Sequence, residues 1–176
     1  MGCMANRGNI TLIGMPGAGQ STLGVVLAKR LGFSFVDTDL LIQERAGATL
    51  SQIIGENGLE AFKQLEERVI LDLDVERHVI ATGGSAVYGR AAMEHLHGLG
   101  TVVYLALGLE ELAERLGNDF EARGIAMAHG MTLADLYDER APLYEREADV
   151  TMHVDGLPIR VAVLELEEAL KERGVL

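Results

Sequence analysis

Two short stretches hold the residues best suited to chemistry. In "GMPGAGQST", residues 14–22, Gly14, Gly19 and Ser21 stand at the spacing of a phosphate-cradling loop, G-x-x-x-x-G-K-[ST], with Gln20 in the lysine slot. Backbone N–H groups across Gly17, Ala18, Gly19, Gln20, Ser21 and Thr22 suit the phosphates of ATP, aided by the N-terminus of a following helix. The Ser21 hydroxyl suits Mg²⁺ bridging the outer phosphates. A lysine at position 20 would hold those phosphates and stabilise charge that develops during transfer, whereas a glutamine offers one neutral donor. Loss of one preorganised donor costs about 3–4 kcal/mol of transition-state stabilisation. Lys29 lies roughly 13 Å further along the expected helix and cannot replace it. Gln20 therefore bears on turnover more than on nucleotide binding.

The second stretch is "FSFVDTD". Asp37 and Asp39 have period-two spacing and would face the same side of an extended chain. One could join a metal's shell while the other accepts the proton of an attacking hydroxyl. An Asx turn at the strand end would use the same residues without catalysis. Further cations are scattered: Lys63, with Glu66 three residues on as a plausible positioning pair, and Arg115, Arg123, Arg140 and Arg146.

The elements that must position these groups alternate between strand and helix. "NITLIG" reads as a buried strand into the glycine loop, and "STLGVVLAKRLG" as a helix stopped by Gly32. "FSFVDTD" reads as a second strand, Thr49 and Gln52 as a capping box, and "LEAFKQLEERVILDLD" as a long helix. "HVIATGGS", "TVVYLAL" and "ADVTMHV" supply three more strands. "LEELAERLG" and "PIRVAVLELEEALKERG" are helical, and "MTLADLYDERAPLYEREA" is a helix interrupted at Pro142. "NDFEARGIAMAHG" has weak periodicity. Such alternation predicts an α/β fold, a parallel sheet covered by helices on both faces, with ligands beyond the strands' carboxyl ends. Gly14, Asp37, Asp39 and Gly83 all fall there.

With 176 residues, 48% hydrophobic and 24% charged, the chain predicts one compact domain, residues 1–176. Its net charge of −12 argues against nonspecific nucleic-acid binding, yet a few arginines in a cleft still suit a small anion. No run is long enough to span a bilayer, and "MGCMANRG" lacks the form of a secretory signal. Asn6 also breaks the lipidation pattern. Cys3 is the sole cysteine, which fits a reducing cytoplasm, and five histidines without ligand spacing argue against a zinc site. A cytoplasmic monomer without membrane or nucleic-acid partners is expected.

The ordered set "GMPGAGQST", "VDTD", "GLEAFKQLE", "ATGGS", "VVYL", "EARGIAM" and "ERAPLYEREADV" resembles the shikimate kinase family over nearly the whole chain. The resemblance implies a P-loop kinase fold with a five-stranded parallel sheet and a mobile lid at about 118–130. It implies ATP with Mg²⁺, the metal on Ser21 with Asp37 in its outer shell. Asp39 would bind substrate hydroxyls and act as base, Gly83 and Gly84 would approach the substrate through backbone, and Arg140 would hold its carboxylate. Arg123 would reach phosphate from the lid, and Arg115 would lie against adenine. The chain departs from the family at four points: Gln20 for lysine, Lys63 for a carboxylate-binding arginine (so that Lys63 would help Arg140 hold the substrate carboxylate), Ser85 for a third glycine, and "RGI" for Arg-Pro-Leu in the lid. Three readings stay open on these residues: transfer from ATP to shikimate, transfer to a different small hydroxy acid, or nucleotide binding with little catalysis.

Overall fold

The computed structural model describes residues 8–176, so Cys3, Asn6 and the rest of the amino-terminal stretch lie outside the described residues. Strand β1 (Asn9–Ile13) is buried along its length and forms the centre of a five-stranded sheet. It pairs in parallel with β3 (His78–Ala81) on one side and β4 (Gly100–Ala106) on the other. Strand β2 (Ser34–Asp37) joins β3 and β5 (Val150–His153) joins β4, giving the parallel order β2-β3-β1-β4-β5. Burial follows position: all seven residues of β4 are enclosed, whereas edge strand β5 alternates buried and exposed. With β1 between β3 and β4, the chain leaves its central strand at a topological switch, which opens a crevice beyond the carboxyl ends.

Eight helices complete the described fold: α1 (Gln20–Leu31), α2 (Thr38–Ala46), α3 (Leu50–Asn57), α4 (Leu59–Leu71), α5 (Arg90–Leu99), α6 (Leu109–Leu116), α7 (Leu133–Glu147) and α8 (Ile159–Glu172). Helix α1 packs against α8, and α4 against α5. Leu23 and Leu27 of α1 join β1, β3 and β4 in the main core. A smaller core of Ile42, Ile53, Phe62, Val69 and Ala126 lies apart from the sheet and joins α2, α3 and α4 to the segment before α7. This smaller core forms one wall beside the crevice. None of the described helices is long and apolar enough to cross a membrane.

Four sequence expectations change. Strand β2 ends at Asp37, and Asp39 belongs to the first turn of α2, because Asp37 Oδ1 accepts from the Asp39 backbone N–H at 2.9 Å and caps the helix. Helix α4 stops at Leu71, three residues early, where Asp72 takes the C-cap. Helix α5, which the sequence reading passed over, is amphipathic and buries Ala92, Met93, Leu96 and Leu99. Pro142 lies inside α7 without ending it. Burial of Leu136, Arg140 and Tyr144 on one face holds the helix together past the missing N–H donor.

Asn9 ties the centre of the sheet to its surroundings. Fully buried, it donates to Val75 O at 2.8 Å and Leu99 O at 3.0 Å, and its Oδ1 accepts from His78 N at 2.8 Å. Asn9→Ala strands three backbone groups and should cost about 3 kcal/mol, at the upper end for orphaned buried polar groups. Urea unfolding would measure it, and a loss below about 1 kcal/mol would mean that water replaces the amide.

Candidate active site

The loop between β1 and α1 is shaped by its glycines. Gly17 and Gly19 adopt φ of 84° and 104°, values that favour residues without a Cβ. Gly19 is the N-cap of α1 and gives no side-chain cap, and no acidic residue occupies the first turn. The first N–H groups of α1 therefore have neither an intrahelical acceptor nor an acidic side chain of their own helix, which suits an incoming oxyanion. Gln20 is buried, and its Nε2 donates backward to Gly14 O at 2.8 Å and Met15 O at 3.2 Å. The side chain braces the loop from within.

Ser21 Oγ donates to Asp37 Oδ2 at 2.6 Å, while Asp37 Oδ1 caps α2. One carboxylate thus joins the glycine loop to the end of β2. A hydroxyl and a carboxylate side by side at the phosphate loop are hard oxygen donors, which fits Mg²⁺ completed by water and phosphate.

Beyond the loop lies a cleft of about 420 Å³. Gly17, Gly19, Gln20, Ser21 and Thr22 line one end, and Asp39, Thr82, Gly83, Gly84, Ser85 and Arg140 line the other. Arg123, Gly124, Ile125 and Ala126 also line it, from the segment between α6 and α7. Asp39 is the sole carboxylate among these lining residues. Its pKa is raised to about 6, first by burial and then by the neighbouring Asp37 charge, so it remains mostly ionised at neutral pH. A Cβ on Gly83 would stand 2.5 Å from Asp39 Oδ1 and 3.1 Å from Glu66 Oε1, so a side chain there would push the Asp39 carboxylate from its place.

Arg140 of α7 is 1% exposed. Its Nε donates to the Tyr88 hydroxyl at 3.1 Å and its Nη2 to the carbonyl of Ala126, whereas Nη1 has no partner. A buried guanidinium with a partnerless Nη1 amino group, lining the cleft beside Gly84, is suited to a carboxylate ligand. Arg123 is exposed at the cleft edge and makes no ion pair among the described residues. Arg115 is held by Glu111 at 2.5 Å and only grazes Gly17 O and Ala18 O at 3.5 Å.

Lys63 and Glu66 do not pair. The Lys63 ammonium sits 3.6 Å from Glu60 and 4.3 Å from the centroid of the Tyr88 ring, in a separate hollow outside the main cleft. Glu66 turns instead to Ser85, whose hydroxyl donates to Oε2 at 2.5 Å. Ser85 occupies ordinary helical backbone, φ −90° and ψ −6°, so a side chain is tolerated there. Sequence reasoning also passed over Tyr144, whose hydroxyl donates to Gly84 O at 2.5 Å and contacts Met15 Sδ at 3.9 Å. The only sequence signal for it was its position one helical turn after Arg140.

Burial pushes the Glu66 carboxyl up from 4.5 to about 7. Asp39 adds to the rise, while Ser85, Arg140 and Lys63 oppose it. The folded state therefore holds this proton more tightly than the unfolded chain, and stability falls as pH rises from 4.5 through about 7. Glu66→Gln removes that loss and should stabilise the protein by on the order of 3 kcal/mol at pH 8, with much less gain at pH 5. Urea midpoints for both proteins at both pH values provide the check, and an equal gain at the two would contradict it.

The shikimate kinase family model matches residues 16–171. The shikimate kinase of Vibrio parahaemolyticus is 38% identical over 97% of this chain and 100% of its own length. That of Haemophilus influenzae is 35% identical over 95% and 94%. Among solved structures, shikimate kinase from Acinetobacter baumannii in complex with shikimate superposes with a TM-score of 0.86 at 32% identity, covering 94% of this chain and 93% of the other. Thymidylate kinase from Candida albicans, at 16% identity and a TM-score of 0.55, shares the fold alone.

Proposed function

The chain belongs to the shikimate kinase family of ATP-dependent kinases, and we propose that it transfers the γ-phosphoryl of ATP to a hydroxyl of shikimate, giving shikimate 3-phosphate. One observation carries this reading: a single cleft joins an uncapped phosphate loop to a carboxylate and a buried arginine with an unused N–H. The order of events follows from the residues. Backbone N–H groups of Gly17 and of Gly19 to Thr22 bind the phosphates, with Gly14 opening the loop, while the Ala18 N–H, expected to join them, donates instead to Met15 O at 3.0 Å. Ser21 and Asp37 would hold Mg²⁺, which supplies charge neutralisation across the outer phosphates.

Arg140 Nη1 grips the acceptor carboxylate and fixes the ring so that one hydroxyl lies against Asp39. Gly83 and Gly84 bring backbone close to the acceptor without crowding it. Asp39 accepts the hydroxyl proton as the oxygen attacks. Arg123 reaches the transferring phosphoryl group from the mobile segment at about 118–130, and Arg115 flanks the adenine. The composition and apolar patterning favour a cytoplasmic monomer.

A different hydroxy acid as acceptor is the second reading, favoured by Lys63. Its ammonium rests against Glu60 and Tyr88 in a hollow that shares Ser85 with the cleft, and an ammonium in place of a planar guanidinium changes what an acceptor carboxylate meets beside Arg140. ADP release with shikimate and with a panel of hydroxy acids, combined with ³¹P detection of the product, tests both. Turnover with another acid and none with shikimate would sink the first reading.

Arg140→Lys keeps the charge and loses the planar fork. The acceptor KM should rise about tenfold or more, for one charge-assisted hydrogen bond lost, while nucleotide affinity stays put. An equal loss on both substrates would assign this arginine to the nucleotide.

A further inference from the structure

The Gln20 side chain is fixed by its donor end and open at its acceptor end. Nε2 is spent on Gly14 O and Met15 O, and only an amide nitrogen can donate to two carbonyls, so the orientation of the amide is set. Oε1 accepts nothing among the described residues, nor is it one of the enclosed orphan atoms. The residue is 6% exposed and lines the cleft at the phosphate loop. A lone amide oxygen therefore faces the place where the outer phosphates of a nucleotide must lie. Oxygen against phosphate oxygen is repulsive, and the local charge makes this worse. Asp37 and Asp39 stand nearby, magnesium leaves a triphosphate with net negative charge, and of the two cations that line the cleft Arg140 turns its free Nη1 to the acceptor, which leaves Arg123 alone for the phosphates.

We propose that Gln20 Oε1 and the nucleotide phosphates together form a site for a monovalent cation of the size of ammonium, potassium or ammonium itself, which stands where a lysine ammonium would be. The inference rests on the phosphoryl-transfer reading and assigns its missing charge. Hard oxygen donors, an amide carbonyl and phosphates, suit such an ion, and the buried brace of Gln20 holds the protein's donor in place before the nucleotide arrives. Potassium is favoured over sodium because its radius is close to that of the ammonium it replaces. The ion is acquired with the nucleotide, since Gln20 alone offers it only one protein ligand.

The test compares chloride salts of potassium, ammonium, sodium and tetramethylammonium at constant ionic strength. Two readouts are taken for the parent, Gln20→Lys and Gln20→Met: turnover with shikimate, and calorimetric affinity for β,γ-methylene-ATP with Mg²⁺. The parent should turn over, and bind the analogue, at least tenfold better in potassium or ammonium than in tetramethylammonium. Gln20→Lys should be indifferent to the salt, and Gln20→Met, which removes Oε1 together with the Nε2 brace, should turn over and bind the analogue equally in all four salts, at whatever level the loss of the brace leaves. Parent affinity and turnover that are equal in every salt would overturn the proposal, as would a potassium response retained in Gln20→Met. If no protein turns over shikimate in any salt, the kinase reading fails by itself, and the salt dependence of analogue binding still decides the cation site.

Discussion

Asp39→Asn is expected to lower kcat about a thousandfold while leaving the affinity for Mg²⁺–ADP within a factor of two. A positioned general base contributes roughly 10²–10⁴ in rate, and Asp39 has no rival in the cleft, being its sole lining carboxylate. Asp37 cannot deputise, because one of its oxygens caps α2 and the other holds Ser21. Glu66 cannot either, since it is 2% exposed and bound to Ser85. Asparagine matches the shape and still accepts a hydrogen bond from the acceptor hydroxyl, so KM should move little, but it takes no proton. The variant should also fold at least as well as the parent. A carboxyl whose pKa is raised to about 6 by burial is more costly ionised than a neutral amide in the same place. A steady-state comparison of kcat, KM and thermal midpoint separates these effects. A kcat within tenfold of the parent, with folding intact, would move the base role away from Asp39.

The parts of this site that were legible in the sequence are those made by one continuous stretch. The phosphate loop is read from its own spacing, because backbone N–H groups bind phosphate whatever surrounds them. Asp37 and Asp39 were found by an argument about extended chain that the structure replaces: Asp37 ends the strand by capping the next helix, and Asp39 enters the cleft from that helix. A cap is a local rule that the sequence does carry, since Asp is a preferred N-cap, but period-two spacing outweighed it.

Lys63 and Glu66 show the opposite limit. Spacing of three along α4 allowed them to pair, and it equally allowed Lys63 to pair with Glu60, three residues before. Which neighbour wins depends on Ser85 and Tyr88, both distant in sequence and brought alongside α4 only by the fold. The partnerless Nη1 of Arg140 is likewise a property of packing: Nε turns to Tyr88 and Nη2 to Ala126, and nothing within α7 announces it. Pro142 was read by propensity, and burial on both sides of it overrode that preference.

Gln20→Lys should raise kcat about a hundredfold when measured in tetramethylammonium buffer, where no small cation substitutes for the missing charge. The gain follows from the about 3–4 kcal/mol typical of one preorganised donor, reduced for the cover proposed for Arg123 at the cleft edge. The geometry is permissive. The glutamine reaches back to Gly14 O and Met15 O from the first residue of α1, and the longer, unbranched stem of a lysine there can turn its ammonium from those carbonyls to the phosphates when nucleotide arrives. Helix propensity is nearly equal for the two residues, and the loop carbonyls solvate the new charge before nucleotide binds, so stability should change little. A rate change is then chemistry rather than folding. The gain should appear in kcat more than in nucleotide affinity, because the charge it meets grows as the phosphoryl group leaves. A large rise in nucleotide affinity with kcat unchanged would mean that position 20 serves ground-state binding alone. A hundredfold gain with shikimate identifies the parent as a working kinase short of one charge. A gain confined to another hydroxy acid assigns the cleft to that acceptor instead. No turnover with any acceptor, in a variant that binds ATP tightly and carries the lysine, would leave nucleotide binding without catalysis as the function of this fold.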